Sequence, residues 1–356
     1  MKLLPLFIYS FRKSYQFSLK LQNKAKWKRK IKKLIKSNGK KNLTSNQKKQ
    51  ITNFYKSQNF NNVSCKWHNF YSSCNGLFSE KYVPEDLFYM KLEPKLNRYP
   101  FTKTLADKNL LEVLFPMIKQ PESLIKNING FFYSKDGSII SEEDAISICN
   151  NKSKMIIKPT LDSQGGKNVV LFKTPEGPVE TRNDYTKEMF ALYEKDFIVQ
   201  KAVIQHPKMA ALNQSSLNTF RVVSYLNNGF VDILSIVVRM GKNGSITDNA
   251  SGGGLCCGIK EDGFLKDSGY QPFTGKESTM TDSGMPFKEI NLPFVDQVKR
   301  TIKKNHINVP YFKMISWDIA IDEEGDVVLI EYNVDGQDIN LHQLNNGPVL
   351  SSILSS

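Results

Sequence analysis

Residues 1–79 contain no aspartate or glutamate, against 18 lysines and arginines. The rest of the chain carries 31 basic and 35 acidic residues, so the formal net charge of +14 belongs to the N-terminal region and the body is close to neutral. This excludes a protein uniformly coated with positive charge, and it places any anion-binding surface in one arm. Cysteine is also scarce: Cys65, Cys74, Cys149, Cys256 and Cys257 are odd in number and lack metal-finger spacing. A disulfide framework and a zinc module are thereby excluded, and free thiols are expected. Long apolar runs are missing too. The first, Leu3–Tyr9, is too short to span a bilayer and has no small-residue cleavage site, so the chain is expected in the cytoplasm. There is no internal repeat, which removes solenoid and propeller architectures.

What is present first is the arm. Residues 1–41 mix dense lysine with Leu21, Trp27, Ile31, Leu34 and Ile35 at approximately helical spacing. Such a pattern suits an interfacial helix on an anionic membrane surface, with nucleic acid a less favoured partner. Residues 1–100 as a whole read as a basic, mostly helical region.

The densest chemistry lies in Trp317–Asn333. Trp317-Asp318-Ile319-Ala320-Ile321 alternates at strand period, Asp322–Asp326 makes a turn, and Val327–Ile330 runs into Glu331-Tyr332-Asn333. Antiparallel pairing brings Asp318 level with Glu331, and Asn333 repeats two residues on. Two carboxylates and an amide oxygen form a hard, all-oxygen set of the kind Mg2+ takes together with substrate phosphates. Glu331 follows four apolar residues, where an unpaired charge is costly, so a cationic partner is expected.

Upstream, Met155-Ile156-Ile157-Lys158 is a strand that delivers a lysine. The glycine pair Gly165-Gly166 follows, able to bring backbone N–H groups close to a phosphate. Arg221 and Arg239 both stand inside apolar strands, which suggests an anionic ligand, and Asp248–Gly254 is a second glycine-rich loop. Hairpins are expected across Asp136-Gly137 and Asn228-Gly229, and helices over 142–150, 185–193 and 294–305.

This order resembles the ATP-grasp superfamily, most closely its sugar-transfer-associated branch. The resemblance rests on Ile157-Lys158-Pro159 with Gly165-Gly166, on Phe197-Ile198-Val199-Gln200, on the run from Gln205-His206-Pro207 through Leu212–Arg221, and on Trp317-Asp318 with Glu331-Tyr332-Asn333. It implies an α+β fold, with two α+β subdomains gripping ATP: N-terminal and lid parts over 101–203, and a C-terminal part with the metal site over 204–356. ATP and Mg2+ are the implied cofactors. Lys158, with Lys108, would neutralise phosphates, Ser163, Gly165 and Gly166 would close over the γ phosphate, and Gln200, Lys201 and Val203 would offer groups to adenine. Asp318, Glu331 and Asn333 would hold metal. Arg221, Arg239, Asn249 and Gly253 would stabilise the reacting anion.

The implied reaction is carboxylate–amine ligation through an acyl phosphate, with a uronic-acid carboxylate of a capsule or O-antigen glycan and an amino acid or amine as substrates. A kinase on the same fold is the alternative within enzymes. A basic nucleic-acid-binding protein with a degenerate ATP site is the alternative outside them. Isolated residues such as His68, His306 and His342 are read as structural.

Overall fold

Short apolar runs separated by Asn-Gly turns fold as antiparallel strands. Asn129-Gly130 and Asn228-Gly229 all take positive φ, between 50° and 92°, the backbone that closes a two-residue hairpin with the twist of its strands. The computed structural model describes residues 22–36, 42–150, 154–161, 166, 168–242, 244–249 and 252–355. The architecture is mixed α+β, with two sheets. The smaller comprises β1 (Ser123–Ile128), β2 (Phe131–Ser134), β3 (Ile139–Ile140), β4 (Met155–Pro159), β5 (Val170–Phe172) and β6 (Phe197–Lys201), in the order β3-β2-β1-β6-β4-β5. The larger comprises β7 (Thr219–Asn227), β8 (Phe230–Met240), β9 (Leu255–Ile259), β10 (Leu265–Tyr270), β11 (Glu277–Ser278), β12 (Met314–Ile321) and β13 (Val327–Asn333). Its order is β11-β10-β9-β8-β7-β12-β13.

The chain divides into two compact units. The larger holds Asn97–Gln271 and Ser278–Gln337. Within it, each sheet buries one face under helices. Ile125, Ile157 and Val199 of the smaller sheet pack with Ala145 and Cys149 of the helix Glu142–Asn150 and with Phe190 of the helix Val179–Ala191. Phe220, Val222, Val238, Trp317 and Ile319 of the larger sheet pack with Val295, Val298 and Ile302 of the helix Val295–Asn305. Period two then sends the alternate residues, among them Lys158, Arg221, Arg239 and Asp318, to the opposite faces. The helix expected at 185 begins at Val179, directly after Pro178, which fits the first turn of a helix although the residues that follow it read as polar. The turn between β12 and β13 gathers Asp322, Glu324 and Asp326 around the Lys119 ammonium at 2.6, 2.7 and 3.0 Å, so these acids already hold a cation.

The other unit joins the described residues before Asn97 to Pro272–Glu277 and to residues from Asp338 onward. Within that unit the chain from Asp338 on packs with the N-terminal residues and with Pro272–Glu277. Gln343 of the helix Ile339–Asn346 shows why, donating to Val83 O at 2.8 Å and accepting from Val83 N at 2.7 Å. The arm also differs from its expected form. Residues 22–36 are helical, but Ile31 and Leu34 are buried against the protein and Trp27 stacks on Tyr89 with ring centroids 4.8 Å apart. Its apolar stripe is consumed by packing, so the described helix offers a membrane only its basic face; Leu21 and the rest of the arm outside 22–36 lie beyond the described residues. Among the described residues no helix is long and apolar enough to cross a membrane.

Candidate active site

Strands β8, β7, β12 and β13 lie side by side and bring their charged residues to one face. Asp318 pairs with Arg221 on one side and with Glu331 on the other, while Arg239 pairs with Thr219. A bulge makes the second of these contacts possible. The register of β12 and β13 is regular from Ile321–Val327 to Ile319–Leu329 and then skips Ile330, so that Asp318 faces Glu331. Without the skip, Glu331 would share the core-facing side of Leu329; with it, Ile330 and Glu331 both line the cleft.

The cleft has about 870 Å³ of empty space, and its lining includes Lys108, Lys158, Gln200, Arg239, Asp318 and Glu331. Arg221 Nε approaches Asp318 Oδ1 to 2.7 Å as an ion pair, its N–H not aligned for a hydrogen bond. Arg239 Nη1 donates to the same oxygen at 3.1 Å, and Lys108 Nζ stands 3.1 Å from Glu331 Oε1. Asn333 Nδ2 donates to Asp318 Oδ2 at 3.4 Å. Each cation is held where a carboxylate needs compensation, as buried charge requires. Burial pushes the Lys158 ammonium down to about 8, with Lys108 adding to the shift and Glu331 opposing it.

The structure brings most of the expected residues together, with distinctions among them. Arg221 and Asn333 stand behind Asp318 and brace it, outside the cleft lining. Asn249 accepts from Arg239 Nη2 at 3.0 Å, and Gly253 lies in the turn beyond it, with φ 92°. A Cβ on Gly166 would fall 1.8 Å from Asn249 Nδ2, so a side chain there would have to displace the Asn249 amide, and its φ of 66° is a backbone that favours glycine. Ser163 and Gly165 lie outside the described residues. Of the segment expected to meet adenine, Gln200 donates its side chain to Pro121 O at 3.2 Å, and Lys201 N–H and Ala202 N–H are committed to Glu122 O and Lys154 O. Val203 lines the cleft.

Two features escaped the sequence reading. Asp248, buried in the glycine-rich loop, pairs with Arg239 Nη2 at 3.1 Å and accepts from Thr219 Oγ1. The run 205–218 proves to be a buried polar scaffold. Asn213 donates to Gly241 O at 2.9 Å, Ser216 Oγ accepts from Gly241 N at 3.0 Å, and Asn218 donates to Met209 O and Asn213 O, each at 2.8 Å. This network ties the start of β7 to the end of β8, fixing the strand ends that carry Thr219 and Arg239.

The sequence pattern of the sugar-transfer associated ATP-grasp family matches residues 87–356, which contain this whole constellation. The chain belongs to that family. Among curated proteins no sequence matches it. Solved structures with a similar course include D-alanyl-alanine synthetase A from Vibrio cholerae, at 12% identity over 72% of this chain and 64% of that one, TM-score 0.38. Another is the biotin carboxylase domain of the Hydrogenobacter thermophilus 2-oxoglutarate carboxylase with MgADP, at 10% identity over 73% and 47%, TM-score 0.44. The ATP-grasp ligase PsnB with its minimal precursor is a third, at 10% identity over 72% and 61%, TM-score 0.39. The chain thus spans about three fifths of the length of such relatives.

ATP and Mg2+ are the cofactors of an ATP-grasp protein, and the donor chemistry here fits them. Opposed carboxylates on Asp318 and Glu331, with the Asn333 amide beside them, are hard oxygen ligands. Four cations, Lys108, Lys158, Arg221 and Arg239, face three anions, Asp248, Asp318 and Glu331, which leaves the site positive toward a polyphosphate.

Proposed function

We propose that this ATP-grasp protein is an ADP-forming carboxylate–amine ligase. The observation that carries the reading is the pairing of Asp318 with Glu331 across a bulge, in a cleft that also receives Lys158 and Arg239. The substrate carboxylate attacks the γ phosphate of ATP, giving an acyl phosphate and ADP. An amine then attacks the acyl carbon, phosphate leaves with the C–O bond electrons, and one N–H proton is lost. Lys158 and Lys108 hold the phosphates, and Val203 meets the adenine. Arg239, with Asn249 beside it, stabilises the negative charge that grows on the acyl oxygen in a water-poor site. Asp318, Glu331 and Asn333 would hold Mg2+, which when bound would supply positive charge to offset that of the transferring phosphoryl group.

The sugar-transfer association of the family supports a reading of the substrates. The carboxylate is a uronic acid of a capsule or O-antigen glycan, and the amine is an amino acid or amino alcohol. The basic face of the arm brings the enzyme to the anionic inner membrane surface, where lipid-linked glycans are assembled. The test is incubation with MgATP, a panel of amines and uronic-acid acceptors, read by mass for ADP and a condensed product. Glu331→Gln is expected to lower ADP formation by at least about a hundredfold with an unchanged melting temperature. AMP and pyrophosphate as products would refute the acyl-phosphate route. A phosphate left on the acceptor without an amine would make the protein a kinase.

A further inference from the structure

We infer that Asp248 is a positioning residue that keeps Arg239 aimed into the cleft when Asp318 is given over to the metal; this rests on the nucleotide–metal reading above. The guanidinium of Arg239 is divided between two carboxylates. Nη1 holds Asp318 Oδ1 at 3.1 Å, while Nη2 holds Asp248 Oδ1 at 3.1 Å and Asn249 Oδ1 at 3.0 Å. Asp318 Oδ1 also meets Arg221 at 2.7 Å, so a divalent ion arriving there confronts two guanidinium groups. Like charges at such range repel strongly inside a protein. Arg239 must give up its hold on Asp318 without leaving the site, and a second carboxylate makes that possible.

Asp248 is built for this task. It is buried, and its second oxygen accepts from Thr219 Oγ1, the residue paired with Arg239 on the neighbouring strand. Backbone fixes it from behind: Gly252 N–H and Gly254 N–H both donate to Asn249 O at 3.1 Å, and a Cβ on Gly254 would come within 2.6 Å of Asp248 O. Burial pushes its carboxyl pKa up while Arg239 pulls it down, so the two charges depend on each other. With both oxygens engaged, Asp248 acts through Arg239.

The experiment measures ADP affinity by calorimetry, with Mn2+ and with EDTA, for the wild type and for Asp248→Asn and Thr219→Val. In the wild type, Mn2+ strengthens ADP binding. Asp248→Asn keeps the shape and loses the charge, leaving Arg239 more firmly on Asp318. The Mn2+-dependent gain is expected to fall about tenfold while metal-free ADP affinity is not lowered. Thr219→Val changes no charge, so a fall of about threefold in the same gain reports positioning and not a weakened field. An unchanged gain in both variants overturns the proposal. So does an equal loss with and without Mn2+, the mark of a damaged fold. A wild type that binds no ADP refutes the nucleotide reading itself, which separates the two failures.

Discussion

Lys158 is the residue whose chemistry is most exposed to test. Its pKa in the folded chain is about 8, below the 10.5 of a free lysine, because burial and the neighbouring Lys108 disfavour its charge. Between those values the unfolded chain binds the extra proton, so this residue's contribution to stability rises as pH climbs from about 8 to 10.5. A nucleotide phosphate bound beside Lys158 would reverse the preference by favouring the charged form. ADP affinity is therefore expected to fall as pH rises through 8, by up to about tenfold per unit, and Lys158→Arg, charged throughout, should flatten the profile. Calorimetric titrations with ADP between pH 7 and 9.5 decide it. A flat wild-type profile would remove Lys158 from the phosphate contacts.

At the scale of the element, β12 is held in place by a chain of hydrogen bonds next to Asp318. Trp317 Nε1 donates to Ser224 Oγ at 2.7 Å, Ser224 Oγ stands 2.7 Å from His306 Nδ1, and His306 Nε2 stands 2.9 Å from Phe312 O. Phe312 O can only accept, so His306 carries a proton on Nε2, and in the neutral imidazole Nδ1 accepts from the Ser224 hydroxyl. Burial accordingly pushes the His306 pKa down to about 4. The unfolded chain takes up the proton below 6.5, so this contribution, on the order of 3 kcal/mol, is lost as pH falls from 6.5 to about 4. His68, also pushed down to about 4 by burial, acts in the same window. His306→Gln should therefore lower the melting temperature at pH 7, yet narrow the gap between pH 7 and pH 4.5 by about half. An unchanged gap would exclude the network. Elements were legible in the sequence where pattern and turn chemistry agree, as in the hairpin over Asn228-Gly229 or the inward Val295, Val298 and Ile302. The facing of Asp318 and Glu331 could be placed from the turn between them, but the bulge at Ile330 could not. Strict alternation makes Leu329 and Glu331 neighbours on one face, and only packing shows that one goes to the core and the other to the cleft. Asp248 and Thr219, 29 residues apart, were hidden for a related reason. Their partnership comes from strand pairing across the sheet, and no local spacing encodes it.

Over the whole molecule the division of charge carries its own prediction. Helix 22–36 spends Ile31 and Leu34 on packing, and Lys30 on an ion pair with Glu85 at 2.6 Å. Lys24, Lys28 and Lys32, one helical turn apart, stay exposed. With its apolar face taken, this helix could meet a bilayer only through charge, and that charge is rich in lysine and poor in arginine, suited to a diffuse anionic surface more than to bidentate readout of bases. Deleting residues 1–41 would also remove core side chains, so substitution gives the cleaner measurement. Replacing Lys24, Lys28 and Lys32 by Gln removes about 1 kcal/mol each, and partitioning onto vesicles containing phosphatidylserine should fall about a hundredfold, with no change in melting temperature. Raising the salt should weaken wild-type binding in the same way, because the screening length shortens to about 3 Å at 1 M. Equal binding to neutral vesicles would mean that an apolar contact is responsible. A larger loss of RNA binding than of vesicle binding in the triple variant would transfer the arm from the membrane to nucleic acid.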